Sequence, residues 1–428
     1  MKVTRIETLR CDAGWRMFSF LKVTTDEGLI GWSEYNESFG SHGLSGVIEA
    51  LSPVVIGKDP RDIELVNAHL RTHTVQSRGG INRQAVAAIE NALLDIKGKA
   101  LGVPVYDLLG GAVRKRIPVY WSHCGSYRAR YPELLGVPRV SSYDDLSRLA
   151  EEVMSRGYRA CKTNVMIHDG KTLAAYRPGF GASKGYPELN WSNDIVDAAF
   201  RTANAFREGG GPGLGVMMDL NFNYKTEGYL RIAKAVEPIG MSWLEMDTHD
   251  AQSLALIRRS TSTPIASCET LCERRDFKPF FEAYAMDVAI VDVIWNGYIE
   301  SLKIAAMADV YEMNVAPHNF YGHLSSVISA HFCAAVPNMR IMETDVDAVP
   351  WRDELVDSPP VIENGEFVLP TRPGWGVEVN EAAVRAHPPK GEGGTATESG
   401  YERRAHRLPP SSAASSSAPR GVHPLTQA

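Results

Sequence analysis

Six short apolar runs between Val216 and Glu343 each end in a residue able to do chemistry, and their spacing constrains the fold of this chain more than any other feature. They read Val216-Met217-Met218-Asp219, Trp243-Leu244-Glu245, Ile265-Ala266-Ser267-Cys268-Glu269, Ala289-Ile290-Val291-Asp292, Val315-Ala316-Pro317-His318 and Ile341-Met342-Glu343. Successive terminal residues are 26, 24, 23, 26 and 25 positions apart. A strand, a loop and a crossover helix take about 25 to 30 residues. The period is therefore that of βα units closing into a barrel, where reactive groups gather at the carboxyl ends of the strands. Isolated charge is costly to bury, so five acids and one histidine in phase point to a shared polar centre at the barrel mouth.

The 428 residues exceed what a barrel of about 250 residues needs, which leaves room for a second domain. Residues 1–35 alternate as strands, with a turn at Asp26-Glu27-Gly28. Ala13-Gly14-Trp15-Arg16-Met17 and Ser38-Phe39-Gly40-Ser41-His42-Gly43 read as loops. Helical periodicity runs from Leu44 to about Leu70 and resumes at Asn82. Small residues at Ala85, Ala87, Ala88 and Ala92 suggest a helix packed closely on another element. Strands followed by helices make residues 1–115 an α+β domain.

The barrel domain is expected over 116–350. It begins with Ile117–Trp121 as first strand, and Ser142-Tyr143-Asp144-Asp145 opens a helix as a capping box with Asp in place of Glu. The second strand ends in the segment Lys162-Thr163-Asn164. The 57 positions from Lys162 to Asp219 exceed one unit. The excess, Tyr176 to Tyr186, is rich in Gly, Pro and aromatics and is either a substrate-facing loop or a plain surface excursion. Residues 351–386 read as an ordered segment packing back on the first domain, and 387–428 as a disordered low-complexity tail.

A net charge of −6 argues against nucleic acid or an anionic membrane as partner. No apolar run reaches the roughly 18 residues of a membrane span, and the N-terminus lacks a signal core, so a cytoplasmic protein is expected. Six scattered cysteines, with only Cys268 and Cys272 close together, do not make a zinc site.

Adjacent strands lie about 4.8 Å apart, which brings Asp219, Glu245 and Glu269 within reach of one cation. Three carboxylates this close need a counter-charge, and an oxygen-only set selects a hard ion such as Mg²⁺. Separate ion pairs with Lys or Arg are the plain alternative, and the regular phase favours the shared ion. Asp292 beside His318 is the pattern of a carboxylate fixing an imidazole's tautomer, hence of a general base or acid. Lys162 is placed to hold a substrate carboxylate, or simply to pair with a metal-binding acid. Glu343 is either a protonated acid donating to a developing enolate oxygen or a rim residue bonded to Arg or backbone.

These residues, with Ala88-x-x-x-Ala92-Leu93-Leu94-Asp95-x-x-Gly98-Lys99, Gly102-x-Pro104-x-x-x-Leu108-Leu109-Gly110-Gly111, Asn296-Gly297 and Ser329-Ala330-His331, resemble the enolase superfamily and, within it, the mandelate racemase group. The resemblance covers roughly residues 1–380. It implies an N-terminal capping domain over a (β/α)7β TIM-like barrel, one Mg²⁺, removal of a proton α to a carboxylate, and a homo-oligomer.

Racemases of that group carry a second lysine on the second strand. Asn164 stands there and cannot take a proton. The Lys-x-Asn pattern resembles acid-sugar dehydratases, galactonate dehydratases among them, although these usually place a histidine where this chain has Asn221. The expected activity is dehydration of an aldonate or aldarate to a 2-keto-3-deoxy acid. Its expected catalytic residues are His318, Asp292, Lys162 and Glu343. Asn164, Asn221, Trp15, Arg16 and His42, with Phe39, are candidates for contacting the substrate. Epimerisation or cycloisomerisation through the same intermediate, and a catalytically silent binding homologue, are the alternatives.

Overall fold

The computed structural model describes residues 1–168 and 170–389. The tail expected from residue 387 lies, from 390 onward, outside the described residues.

Val3–Asp12, Met17–Thr25 and Ile30–Tyr35 pair antiparallel as a three-stranded meander. Helices Leu44–Val55, Ile63–His73 and Gly80–Leu101 follow; the stretch read as one helical region to Leu70 is two helices, broken around Gly57 and Pro60. The small residues of the long helix let it press onto the third strand. A Cβ added at Gly31 would lie 2.1 Å from the Ala92 carbonyl oxygen, so only glycine allows this approach.

Eight parallel strands form the barrel: Arg116–Ser122, Ala160–Asn164, Gly215–Asp219, Trp243–Glu245, Ile265–Ser267, Val288–Asp292, Asn314–His318 and Met342–Asp345. The first seven pair in chain order, and the eighth pairs with the first. A bridge between Val315 and Met339 joins the seventh to the segment entering the eighth and completes the ring. The predicted capping box is present, with Ser142 and Asp145 bonding each other's backbone amides ahead of helix Tyr143–Ser155. Helices follow each of the first seven strands and not the eighth, so the barrel is (β/α)7β. Tyr120, Ala160, Met217, Trp243, Ala266, Val288, Ile290 and Ala316 fill its interior as a separate apolar cluster. This plug forms the floor of the site at the mouth.

After the eighth strand, Glu366–Val368 pairs antiparallel with the first barrel strand. The chain then returns to the first domain. Trp375 donates its backbone N–H to Asp95 and its indole N–H to the carbonyls of Trp32 and Asn91. The carbonyl of His387 accepts from the backbone N–H of Asp12.

Two buried contacts fix the meander over the barrel mouth. Glu34 accepts from the backbone N–H groups of Gly322 and Ser325, at the start of helix His323–Ala335, where free amides and the helix dipole favour an anion. Arg16 forms a 2.8 Å ion pair with Asp345, and both side chains are buried. No helix among the described residues is long and apolar enough to cross a membrane.

Candidate active site

The barrel ring brings Asp219, Glu245 and Glu269 together: each offers an oxygen, and these oxygens lie within 4.8 Å of one another. All three residues are buried. Burial pushes the Glu245 carboxyl up to about 7, with the Asp219 and Glu343 charges adding to it and Lys162 opposing. Asp219 and Glu269 are raised for the same first reason. Lys162 places its Nζ 2.9 Å from Glu245 Oε2, 3.0 Å from Glu343 Oε1 and 3.9 Å from Asp219 Oδ2.

The donor set fits a hard divalent cation. The oxygens are anionic, too many for one ammonium group, and Glu245 Oε1 is sealed from solvent with no hydrogen-bond partner. A buried carboxylate oxygen with nothing to bond is costly, and an ion shared with Asp219 and Glu269 would satisfy it.

Two backbone devices aim these groups. Cys268, immediately before Glu269, has φ +91°, and Asn221, after Asp219, has φ +46°. Left-handed conformations at non-glycine residues cost about 1–3 kcal/mol and persist where surroundings impose them. Asn221 donates its backbone N–H to Asp219 Oδ1 at 2.8 Å, and Asp247 accepts the backbone N–H of Cys268 at 3.0 Å.

His318 and Asp292 end neighbouring strands in register. His318 Nδ1 lies 2.7 Å from Asp292 Oδ2, and Nε2 lies 3.5 Å from Glu269 Oε2. Asp292 also accepts from the Tyr321 hydroxyl and from the backbone N–H of Trp295, and the Trp295 ring meets the imidazole edge-on with centroids 5.6 Å apart. Burial works against the imidazolium, but Glu269 and then Asp292 outweigh it and carry His318 up to about 10; a cation held by Glu269 would offset the first of these charges.

Glu343 sits among donors, including a backbone amide as one of its two expected readings had it. Burial would raise its carboxyl, but Lys162 and then His318 outweigh this and hold it well below the usual carboxylate range. It accepts from the Ser122 hydroxyl and, at 2.7 Å, from the Asn319 backbone N–H. With Lys162, Ser122 and Asn319 all facing it as donors, Glu343 is placed to anchor Lys162.

The site opens into a cavity of about 910 Å³ whose walls include Trp15, Phe39 and His42 from the first domain, together with His318, Lys162, Asn221 and Glu343. Trp15 stacks on Tyr131 at 4.6 Å and 5°. The long excursion after the second strand faces this cavity: it forms a hairpin, Met166–His168 with Leu173–Ala175, and Leu173, Arg177 and Phe180 line the wall.

Two expected substrate contacts lie elsewhere. Arg16 does not line the cavity; Asp345, the Phe320 carbonyl and the rings of Trp15, Phe18, Tyr127 and Phe320 enclose it. Asn164 donates to the Asp219 carbonyl and Asn221 Oδ1 and accepts from the Ser126 hydroxyl, so it braces the third strand rather than facing the cavity. Sequence reasoning passed over His123, Arg177 and Tyr321. His123 was open to discovery only as the polar residue directly after the first strand, Arg116–Ser122.

Comparison with known proteins agrees with this architecture. The profile of the enolase C-terminal domain-like family matches residues 145–383, and that of the mandelate racemase / muconate lactonizing enzyme N-terminal domain matches 9–110. A D-xylonate dehydratase of Haloferax volcanii is 28% identical over 91% of this chain and 90% of its own. A D-galactonate dehydratase family member of Streptomyces bingchenggensis is 30% identical over 87% of this chain and 90% of its own. A crystal structure from Burkholderia xenovorans strain LB400, provisionally named an L-alanine-DL-glutamate epimerase and bound to magnesium and fumarate, is 49% identical with a TM-score of 0.91, covering 94% of this chain and 99% of that one. The chain is an enzyme of the enolase superfamily, in the mandelate racemase / muconate lactonizing enzyme group.

Proposed function

We propose that this chain is a hydro-lyase that dehydrates a sugar acid, an aldonate or aldarate, to a 2-keto-3-deoxy acid. The observation that carries the reading is His318, fixed through Nδ1 by Asp292 and turned through Nε2 towards three converging carboxylates. Asp219, Glu245 and Glu269 would hold a magnesium ion, which would supply positive charge to the substrate's carboxylate.

With the acid's carboxylate drawn to that end of the cavity, Nε2 of His318 removes the proton at C2. Asp292 holds the imidazole in the tautomer that leaves Nε2 free to accept and stabilises the imidazolium that forms. Lys162, kept charged by Glu245 and Glu343, faces the negative charge that develops on the carboxylate oxygens. Departure of the 3-hydroxyl gives an enol, which ketonises. Arg177 supports an anionic substrate, since it lines the cavity and has no carboxylate partner among the described residues. The names of the dehydratase relatives agree with this chemistry. A cytoplasmic location belongs to the same proposal and is supported by six unbridged, buried cysteines, as expected in a reducing compartment.

Epimerisation through the same intermediate is the second reading, favoured by the name of the 49% identical structure. The test is a panel of aldonic and aldaric acids incubated with the enzyme and Mg²⁺ in D₂O. Dehydration predicts a 2-keto acid from at least one of them. Deuterium entering C2 with no loss of water from any acid would replace this reading with epimerisation.

A further inference from the structure

Elimination of a hydroxyl needs a proton for the departing oxygen, and the residues assigned so far do not supply one. Lys162 is locked between Glu245 and Glu343. Glu343 has its oxygens taken up by Lys162, the Ser122 hydroxyl and the Asn319 backbone N–H. Asn221 carries no exchangeable acid proton, and the arginines of the wall do not give theirs up. His42 lines the cavity but is exposed, and no described residue bonds its ring.

His123 differs from all of these. It follows the first barrel strand, lines the cavity, and places Nδ1 2.9 Å from Asp345 Oδ1. Asp345 is fully buried and already paired with Arg16 at 2.8 Å, so the histidine is not needed to neutralise it. Tyr127 stacks on the imidazole at 4.4 Å and 10°, which fixes the plane of the ring. The backbone of His123 has φ +50°, a conformation that surroundings must impose on a residue other than glycine. Among the described residues Nε2 has no hydrogen-bond partner, and it is not sealed from the cavity. Phe320 lies between the two imidazoles, its ring centroid 4.9 Å from that of His318 and 6.2 Å from that of His123. A second imidazole–carboxylate pair thus shares the cavity with the first, one strand beyond Glu343.

We propose that His123, oriented by Asp345, is the general acid that delivers its Nε2 proton to the departing 3-hydroxyl. The inference rests on the dehydratase reading above. In the step, the C3–O bond breaks with its electron pair going to oxygen, and the Nε2 proton joins that oxygen to form water. The pair left at C2 when His318 takes its proton becomes the C2–C3 double bond. The enol then ketonises, gaining a proton at C3 and losing its hydroxyl proton, and both imidazoles exchange back with solvent. No oxidant or co-reactant is required.

The test compares His123→Gln with the unaltered enzyme on two substrates: the hydroxy acid that the panel identifies, and its analogue with fluorine in place of the 3-hydroxyl. Fluoride leaves without a proton. The variant should lose about 10²- to 10⁴-fold in kcat on the hydroxy acid, yet release fluoride at close to the normal rate and still exchange the C2 proton. Retained fluoride release also shows that the variant is folded; His123→Asn serves as the second variant if His123→Gln is not. Equal losses on both substrates, or no loss on either, would overturn the assignment. So would a C2 epimer made by the unaltered enzyme and not by the variant, which would give His123 to C2 instead. If the unaltered enzyme forms no 2-keto acid from any acid, the parent reading fails first, and the assignment with it.

Discussion

Replacing Asp292 by Asn changes one atom and should silence the base. Asp292 is fully buried, with Oδ1 2.8 Å from the Trp295 backbone N–H and Oδ2 2.7 Å from His318 Nδ1. The Trp295 N–H needs an acceptor, so an asparagine must turn its carbonyl oxygen that way and present its NH₂ to the imidazole. Nδ1 then has to accept, the ring proton moves to Nε2, and the atom facing the cavity can no longer take a proton. A misplaced general base costs about 10²- to 10⁴-fold, or about 2.7–5.4 kcal/mol of barrier at roughly 1.36 kcal/mol per decade. Losing charge-assisted bonds from His318 and Tyr321 should also lower stability by about 1.5–3 kcal/mol. Steady-state kinetics on the identified acid would show the fall in kcat, with KM little altered because Asp292 does not touch substrate. Denaturant melts would show the change in stability. A folded variant with kcat within tenfold of the unaltered enzyme would refute the tautomer argument.

Other perturbations follow from the same charges. Burial raises Asp219 and Glu269 and carries Glu245 to about 7; a raised carboxyl holds its proton below that pH, and a cation must displace it. Magnesium should therefore bind more tightly as pH rises through about 7, with protons released in calorimetry carried out in buffers of different ionisation enthalpy; equal affinity on both sides would contradict the shared site. Lys162→Met removes the only ammonium between Glu245 and Glu343, which should cost about 3–5 kcal/mol of stability and abolish turnover, and saturating Mg²⁺ should restore part of the lost Tm. An unchanged Tm would show that the lysine is not the local counter-charge. Arg177→Met should raise KM for the acid by tenfold or more, since an ionic hydrogen bond is worth about 1.5–3 kcal/mol, while leaving the stability of the fold near normal; an unchanged KM would show that Arg177 does not contact the substrate.

The barrel was legible because strand ends recur in phase, and because a terminal acid has no use inside a βα unit except at the mouth. That logic reads strand ends, and it brought out Asp219, Glu245, Glu269, Asp292, His318 and Glu343 together. It says little about loops. Trp15 and Arg16 are neighbours in one loop, yet one faces the cavity and the other is sealed against Asp345, 329 positions away in sequence. Nothing local distinguishes them. The surroundings of Glu343 were equally hidden, since Lys162, Ser122 and Asn319 arrive from three other places in the chain. His123 was missed for a simpler reason: the first strand stands outside the regular run of gaps, so its polar end was not counted with the rest.

The claim beneath all of this is that three carboxylates from consecutive strands share one divalent ion. Crystals grown with Mn²⁺ in place of Mg²⁺ and measured at the manganese edge would locate the ion directly. The expected result is a single anomalous peak touching one oxygen each of Asp219, Glu245 and Glu269, at about the 2.0–2.2 Å typical of a hard cation. A peak elsewhere in an active enzyme, or none among the three carboxylates at saturating manganese, would contradict the account.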